Sequence, residues 1–200
     1  MKRFVNFLSI FRIIAAFAVI PCLMFPMYWT AFILFVLAAL SDFADGFLAR
    51  KYNVCTKIGG VMDHIGDKLL VVNAFIMLAI MMPVWFIVIP IILMIARELY
   101  ISGLREFLGT QKIEMPVPHA RFSLGKVKTA LQMLSIAMFF LLFTVSTPLA
   151  AGTITRTQVI IMNITSQGGI IAIWAALAAS LLSAIMYTRT FAEKIKKIKK

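Results

Sequence analysis

Negative charge is scarce in this 200-residue chain: eight Asp and Glu stand against twenty Lys and Arg, a formal net charge of +12 at pH 7. Charge of either sign is thin, at 14%, where soluble domains average about 25%. Hydrophobic residues reach 62% against about 45–50% in soluble domains, and the mean hydropathy is +0.97. Together these exclude a soluble globular core and put the chain in the membrane class, with length for a single domain over 1–200. Cysteine is nearly missing. Cys22 sits in an apolar run and Cys55 in a basic loop, with no CxxC, which excludes a disulfide framework. The two histidines, His64 and His119, are too few for a His-rich metal site. No segment alternates polar and apolar over ten residues, which excludes a β-barrel. Internal repeats and low-complexity linkers are also lacking.

The basic residues lie between apolar runs and at the chain ends, not on one basic face. That pattern suits orientation in a bilayer and attraction to anionic headgroups. It excludes nucleic acid as a partner. The opening MKRFVNFLSIFRIIAAFAVIPCLMF has the basic-then-apolar order of a signal peptide. Arg12 interrupts the run and no small-x-small cleavage site follows closely, so a retained first span is expected.

A span needs about 20 mostly apolar residues. Six are predicted, at roughly 8–25, 29–48, 66–82, 84–107, 126–147 and 168–188, giving an all-α, polytopic integral membrane fold of six transmembrane helices. The turns at Pro26 and Pro83 are short and uncharged. The stretch 146–168 is polar with only Arg156, and reads as an outer loop. The remaining connections are basic: Arg50, Lys51 and Lys57 in 49–65, Lys112 and Arg121 in 108–125. Lys2, Arg3 and the tail 189–200 are basic too. The positive-inside rule then places both termini and these loops in the cytoplasm. The tail reads as a topology signal and lipid-surface anchor.

Half of the scarce acids fall in one stretch, SDFADGFLARKYNVCTKIGGVMDHIGDK, as Asp42, Asp45, Asp63 and Asp67. A spacing of three, then of four, puts each pair on one helix face. The short link makes the two helices antiparallel neighbours, so four carboxylates converge at one membrane surface. Unpaired, they would repel and resist burial. Divalent cations remove that objection. An oxygen-only set with a single histidine beside it suits Mg²⁺, Mn²⁺ or Ca²⁺ over zinc. Singly, each would read as a helix-end charge, with Asp63 as a cap and Asp67 paired with Lys68 or a neighbouring Arg. Four together, with Gly46, Ala49, Gly59, Gly60 and Gly66 interleaved, favour a binding site, because small residues permit close helix approach and leave room for a ligand.

The stretch reads D-x-x-D-G-x-x-A-R, eight residues, then G-x-x-x-D-x-x-x-D. This resembles the signature of the CDP-alcohol phosphatidyltransferases, at eight fixed positions over 26 residues. The resemblance implies that Asp42, Asp45, Asp63 and Asp67 ligate two divalent ions, Mg²⁺ or Mn²⁺. It implies that Asp67 is the general base. It makes Asp45, Gly46, Ala49, Arg50, Thr56 and Gly59 contacts to CDP-diacylglycerol. It also implies a homodimer in the bacterial inner membrane, with its site on the cytoplasmic side.

The acceptor is addressed further along. RELYISGLREFLG places Glu98, Ser102 and Arg105 on one helix face, and GKVKTALQM carries Lys126, Lys128, Thr129 and Gln132. Glu98 and Glu106, beside arginines, read as ion-paired. Arg105 and Lys126 are the expected contacts to an acceptor phosphate. Both segments, with NFLSIFRIIAAFAVIP, resemble the bacterial phosphatidylglycerophosphate synthases, whose acceptor is sn-glycerol 3-phosphate. That branch commonly has Pro at position 64, Ala at 66, Thr at 9 and Pro at 5. Here His64, Gly66, Ser9 and Val5 stand instead, and no proposed ligand is lost. Alternatives are another acceptor, phosphatidylglycerol or inositol phosphate, a divalent-cation transporter, and a non-catalytic lipid-binding protein.

Overall fold

The computed structural model describes residues 2–52, 57–110, 124–147 and 155–198. Six α-helices follow in order: α1 Lys2–Met24, α2 Tyr28–Tyr52, α3 Lys57–Met81, α4 Trp85–Thr110, α5 Leu124–Ser146 and α6 Arg156–Ile198. The described residues contain no strand. Among the described residues, four helices hold apolar stretches long enough to cross a bilayer, Phe7–Met24, Trp85–Thr110, Gly125–Ser146 and Arg156–Glu193. In α2 the described apolar run is shorter, Tyr28–Ser41. The charged signature begins at the next residue.

The helices are apolar nearly all round, as bilayer helices must be. On α1, Phe7, Ile10, Ile14 and Phe17 are exposed at helical spacing, while Ala15, Ala16, Val19 and Leu23 are buried on the other side. The chain is an integral membrane protein, and such exposed faces meet lipid. Inside, α1 packs along α2 and α3, α5 pairs with α6, and α4 leans on α6. Phe35 and Phe140 meet edge to face, centroids 5.4 Å apart, and join α2 to α5. Small residues set the closest approach. A Cβ at Gly168 would lie 2.9 Å from Met138 Sδ, and one at Gly169 would lie 3.0 Å from the Phe139 ring. Ser135 Oγ uses that proximity to donate to the Gly169 carbonyl at 3.1 Å.

Proline punctuates the helices and leaves a debt that α6 settles. Pro90 lies inside α4. It has no N–H, so the carbonyl of Phe86, four residues back, loses its helical donor. Trp174 Nε1 of α6 donates to that carbonyl at 3.0 Å. Within lipid such groups must be satisfied by protein.

The last third corrects the sequence reading. Residues 146–168 are not one polar loop: α6 begins at Arg156 and runs for 43 residues. Thr155 and Gln158 form its start. Gln158 Oε1 accepts from the Thr155 amide at 2.9 Å, and Thr155 Oγ1 accepts from the Gln158 amide at 3.4 Å. This is the reciprocal capping box. Thr165 Oγ1 turns back to the Ile161 carbonyl at 2.8 Å, so a polar side chain rides inside the helix. At 1.5 Å per residue α6 is about 65 Å long, roughly twice the hydrocarbon thickness. The basic tail expected from residue 189 is the far end of this helix as far as Ile198, steadied where Phe191 meets Phe107 of α4, centroids 5.9 Å apart.

Candidate active site

The four aspartates fall where α2 ends and α3 begins. Asp42 and Asp45 lie in the last part of α2, Asp63 and Asp67 in the first half of α3, and the two helices touch. Backbone register gives each pair a common side, at spacings of three and four. Thr56 lies outside the described residues. So do the side chains of Asp42, Asp45, Gly46, Ala49, Arg50, Gly59, Asp63 and His64.

The side chain of Asp67 is among the described residues. Its Oδ1 is ion-paired with Nη1 of Arg12, which reaches it from α1. The Arg12 side chain is 0% exposed and that of Asp67 is 29% exposed. Of the pairings open to Asp67 from sequence, the arginine is realised. Its sequence neighbour Lys68 instead donates to Ser102 Oγ of α4 at 2.5 Å. Gly66 lies against α1. A Cβ there would meet Ile13 Cγ1 at 3.4 Å and Arg12 Cδ at 3.6 Å, ordinary contact distances. An alanine therefore fits at 66, but nothing much larger does.

Beside this lies a second charged group, built by α4, α5 and α6. Glu98 of α4 takes Arg97 at 3.0 Å and also the buried Lys128 of α5. Arg97 Nε donates to the Ser180 carbonyl at 3.1 Å, and its Nη2 donates to Ser183 Oγ at 2.9 Å, both on α6. Gln132, one turn past Lys128, points its amide at Met94 Sδ at 3.4 Å. Nearer the end of α4, Arg105 Nη2 donates to Tyr187 Oη at 2.7 Å and its guanidinium lies 5.0 Å from that ring.

Glu98 is thus ion-paired, as expected beside arginine. The two residues expected at an acceptor phosphate are Arg105 and Lys126. Both are exposed, and Arg105 rests on Tyr187 of α6. Sequence reasoning passed over two cations that are buried, Arg12 and Lys128. A signal for the latter existed. Lys128, Gln132, Ser135 and Phe139 recur at intervals of four, three and four, and all four are buried. Lys126 is out of phase with that stripe.

Chemically, an all-carboxylate set on two adjoining helix ends supplies hard oxygen donors, and these fit Mg²⁺ or Mn²⁺. Lys68 and Arg105 add a cationic flank suited to phosphate groups, whereas Arg97 and Lys128 are taken up by Glu98.

The profile of the CDP-alcohol phosphatidyltransferase family matches residues 3–182, most of the chain. A Rickettsia bellii protein named CDP-diacylglycerol--glycerol-3-phosphate 3-phosphatidyltransferase is 42% identical over 143 residues, covering 68% of this chain and 74% of its own. The Escherichia coli K12 protein of the same name is 36% identical over 133 residues, covering 65% and 72%. The one from Cereibacter sphaeroides is 40% identical over 144 residues, covering 68% and 62%. The match takes in the aspartate signature and the cation-bearing helices alike, and with it the chain belongs to the CDP-alcohol phosphatidyltransferase family.

Proposed function

We propose that this enzyme transfers the phosphatidyl group of CDP-diacylglycerol to sn-glycerol 3-phosphate, giving phosphatidylglycerophosphate and CMP, a step in anionic phospholipid synthesis. One observation carries the reading. The full eight-position signature spans two adjoining helix ends in a chain 36–42% identical to proteins named for that transfer.

Asp42, Asp45, Asp63 and Asp67 hold the divalent ions, Mg²⁺ or Mn²⁺, which supply charge stabilisation at the pyrophosphate oxygens when bound. Arg50 neutralises the nucleotide phosphate, and Gly46, Ala49, Thr56 and Gly59 leave space for the CDP group beside the backbone. The acceptor hydroxyl attacks the phosphorus that carries diacylglycerol. Its proton passes to Asp67, the P–O bond to the CMP phosphate breaks, and CMP leaves. Arg105 and Lys126 attract the acceptor phosphate, with the neighbouring Lys68 adding positive field. One substrate is a lipid and the other is soluble, so the reaction belongs at a membrane surface. The basic loops set that surface in the cytoplasm, in a homodimer of the bacterial inner membrane.

The test is an acceptor panel with CDP-diacylglycerol and Mg²⁺, read as CMP release. Glycerol 3-phosphate should support turnover far above phosphatidylglycerol, inositol phosphate, serine or inositol. EDTA should abolish it, and Mg²⁺ or Mn²⁺ should restore it. A preparation that carries Mg²⁺ across vesicles yet releases no CMP with any acceptor would make it a cation transporter instead.

A further inference from the structure

Arg12 lies within the apolar stretch Phe7–Met24, and its side chain is 0% exposed. A guanidinium in such surroundings is costly unless it is paired, and intramembrane charges tend to mark working sites. It is ion-paired with Asp67. The geometry is directional. The arginine is fully enclosed, while the carboxylate it holds is 29% exposed, so the buried partner anchors the accessible one. The approach of the two helices is set by small residues. Ser9, buried one turn before Arg12, and Gly66, beside Asp67, leave only 3.6 Å between the Ser9 carbonyl oxygen and a Cβ at position 66. Two helices brought this close let a side chain from α1 reach α3, 55 residues away in sequence.

We propose that Arg12 is a positioning residue for the transfer. From behind, it fixes the Asp67 carboxylate in the orientation that takes the acceptor proton, without itself touching substrate. This rests on the reading of Asp67 as part of the site. Loss of one anchor widens the range of rotamers an aspartate samples, and displacement of a reacting group by about 1 Å can cost 100-fold in rate. The contact has a second effect. Oδ1 shares its charge with the guanidinium, so a divalent ion bound at Asp67 is held less tightly than by an unshared carboxylate. Removal of Arg12 should therefore slow turnover while tightening the ion. A merely structural lesion would loosen the fold and the ion together.

The test uses the full chain in detergent micelles, with Arg12→Gln, Arg12→Lys and Asp67→Asn. It measures kcat and KM for both substrates, thermal melting, and Mn²⁺ affinity by paramagnetic resonance. Arg12→Gln should lower kcat about 10–100-fold with little change in either KM, and should bind Mn²⁺ at least about threefold more tightly. Arg12→Lys keeps the charge but lacks the planar fork. It should fold, bind Mn²⁺ like the parent, and fall between the parent and Arg12→Gln in kcat. The proposal is overturned by parental kcat in Arg12→Lys, or by weaker Mn²⁺ binding in a folded Arg12→Gln. If Arg12→Gln does not fold, Arg12→Lys decides alone. Asp67→Asn separates the two levels. An inactive Asp67→Asn beside a fully active Arg12→Lys overturns the role of Arg12 only, while a fully active Asp67→Asn removes Asp67 from the reaction and Arg12 with it.

Discussion

Replacement of Glu98 by alanine should be among the most damaging changes outside the aspartate signature. The carboxylate is the shared partner of Arg97 and Lys128, whose side chains are 8% and 9% exposed. After truncation both cations remain buried. Arg97 keeps the Ser180 carbonyl and Ser183, but no opposite charge. Breaking a buried pair from one side costs about 3–5 kcal/mol, chiefly from the charge left behind. With about 2–4 °C of melting temperature per kcal/mol for chains of this size, the expected fall is roughly 6–20 °C. The assay is thermal unfolding in detergent, followed by tryptophan fluorescence. The same argument demands a rescue. Glu98→Ala combined with Lys128→Met removes a cation together with its partner and fills the space with an apolar chain. It should recover much of the loss, since replacing both members of a buried pair is often close to neutral. Two results would refute this reasoning: a single variant melting within about 2 °C of the parent, less than 1 kcal/mol would give, or a double variant melting below the single.

Asp67→Asn should abolish CMP release while retaining CDP-lipid binding, measured by ligand-dependent thermal shift; loss of binding in proportion to activity would count against a proton-transfer role. Arg105→Ala should raise KM for glycerol 3-phosphate more than that for CDP-diacylglycerol, and equal changes in both would remove Arg105 from the acceptor side. Trp174→Phe strands the Phe86 carbonyl and should cost about 1–3 kcal/mol. Pro90→Ala returns a helical donor to that carbonyl, so the Trp174→Phe penalty should shrink on that background; an unchanged penalty would mean that Trp174 stabilises by packing alone. Gly169→Val should weaken the contact between α5 and α6, because a Cβ would already lie 3.0 Å from the Phe139 ring; a parental melting curve would mean that Phe139 moves aside freely.

Hydropathy and the aspartate spacing were readable because both are local. An apolar run of bilayer length, or two acids three or four residues apart, carries its meaning within a few turns of chain. Arg12 was visible as an interruption of the first span and as part of the NFLSIFR segment, without a role. Its meaning lies in a contact between α1 and α3, and no spacing within either helix announces that. Lys126 drew attention over Lys128 because both open the same helix, and only the phase of Gln132, Ser135 and Phe139 separates the exposed lysine from the buried one. The start of α6 was missed for a different reason. Thr157, Asn163, Thr165 and Gln167 make the stretch look like a loop by composition. The helix accepts them because side chains such as Thr165 bond to their own backbone, and the Thr155–Gln158 capping pair was a signal that composition obscured.

The hydrogen bond from Trp174 to Phe86 has a consequence for how the chain is made. Donor and acceptor are 88 residues apart, and ribosomes add about 5–20 residues per second. For roughly 4–18 s after Phe86 is synthesised, α4 exists without the group that completes its backbone. Arg97, lower on the same helix, awaits Ser180 and Ser183 over the same interval. A helix with an open carbonyl, and with Arg97 held only by its neighbour Glu98, is poorly soluble in lipid. α4 is therefore completed late: α6 supplies the donor and the serines that finish a helix made well before it.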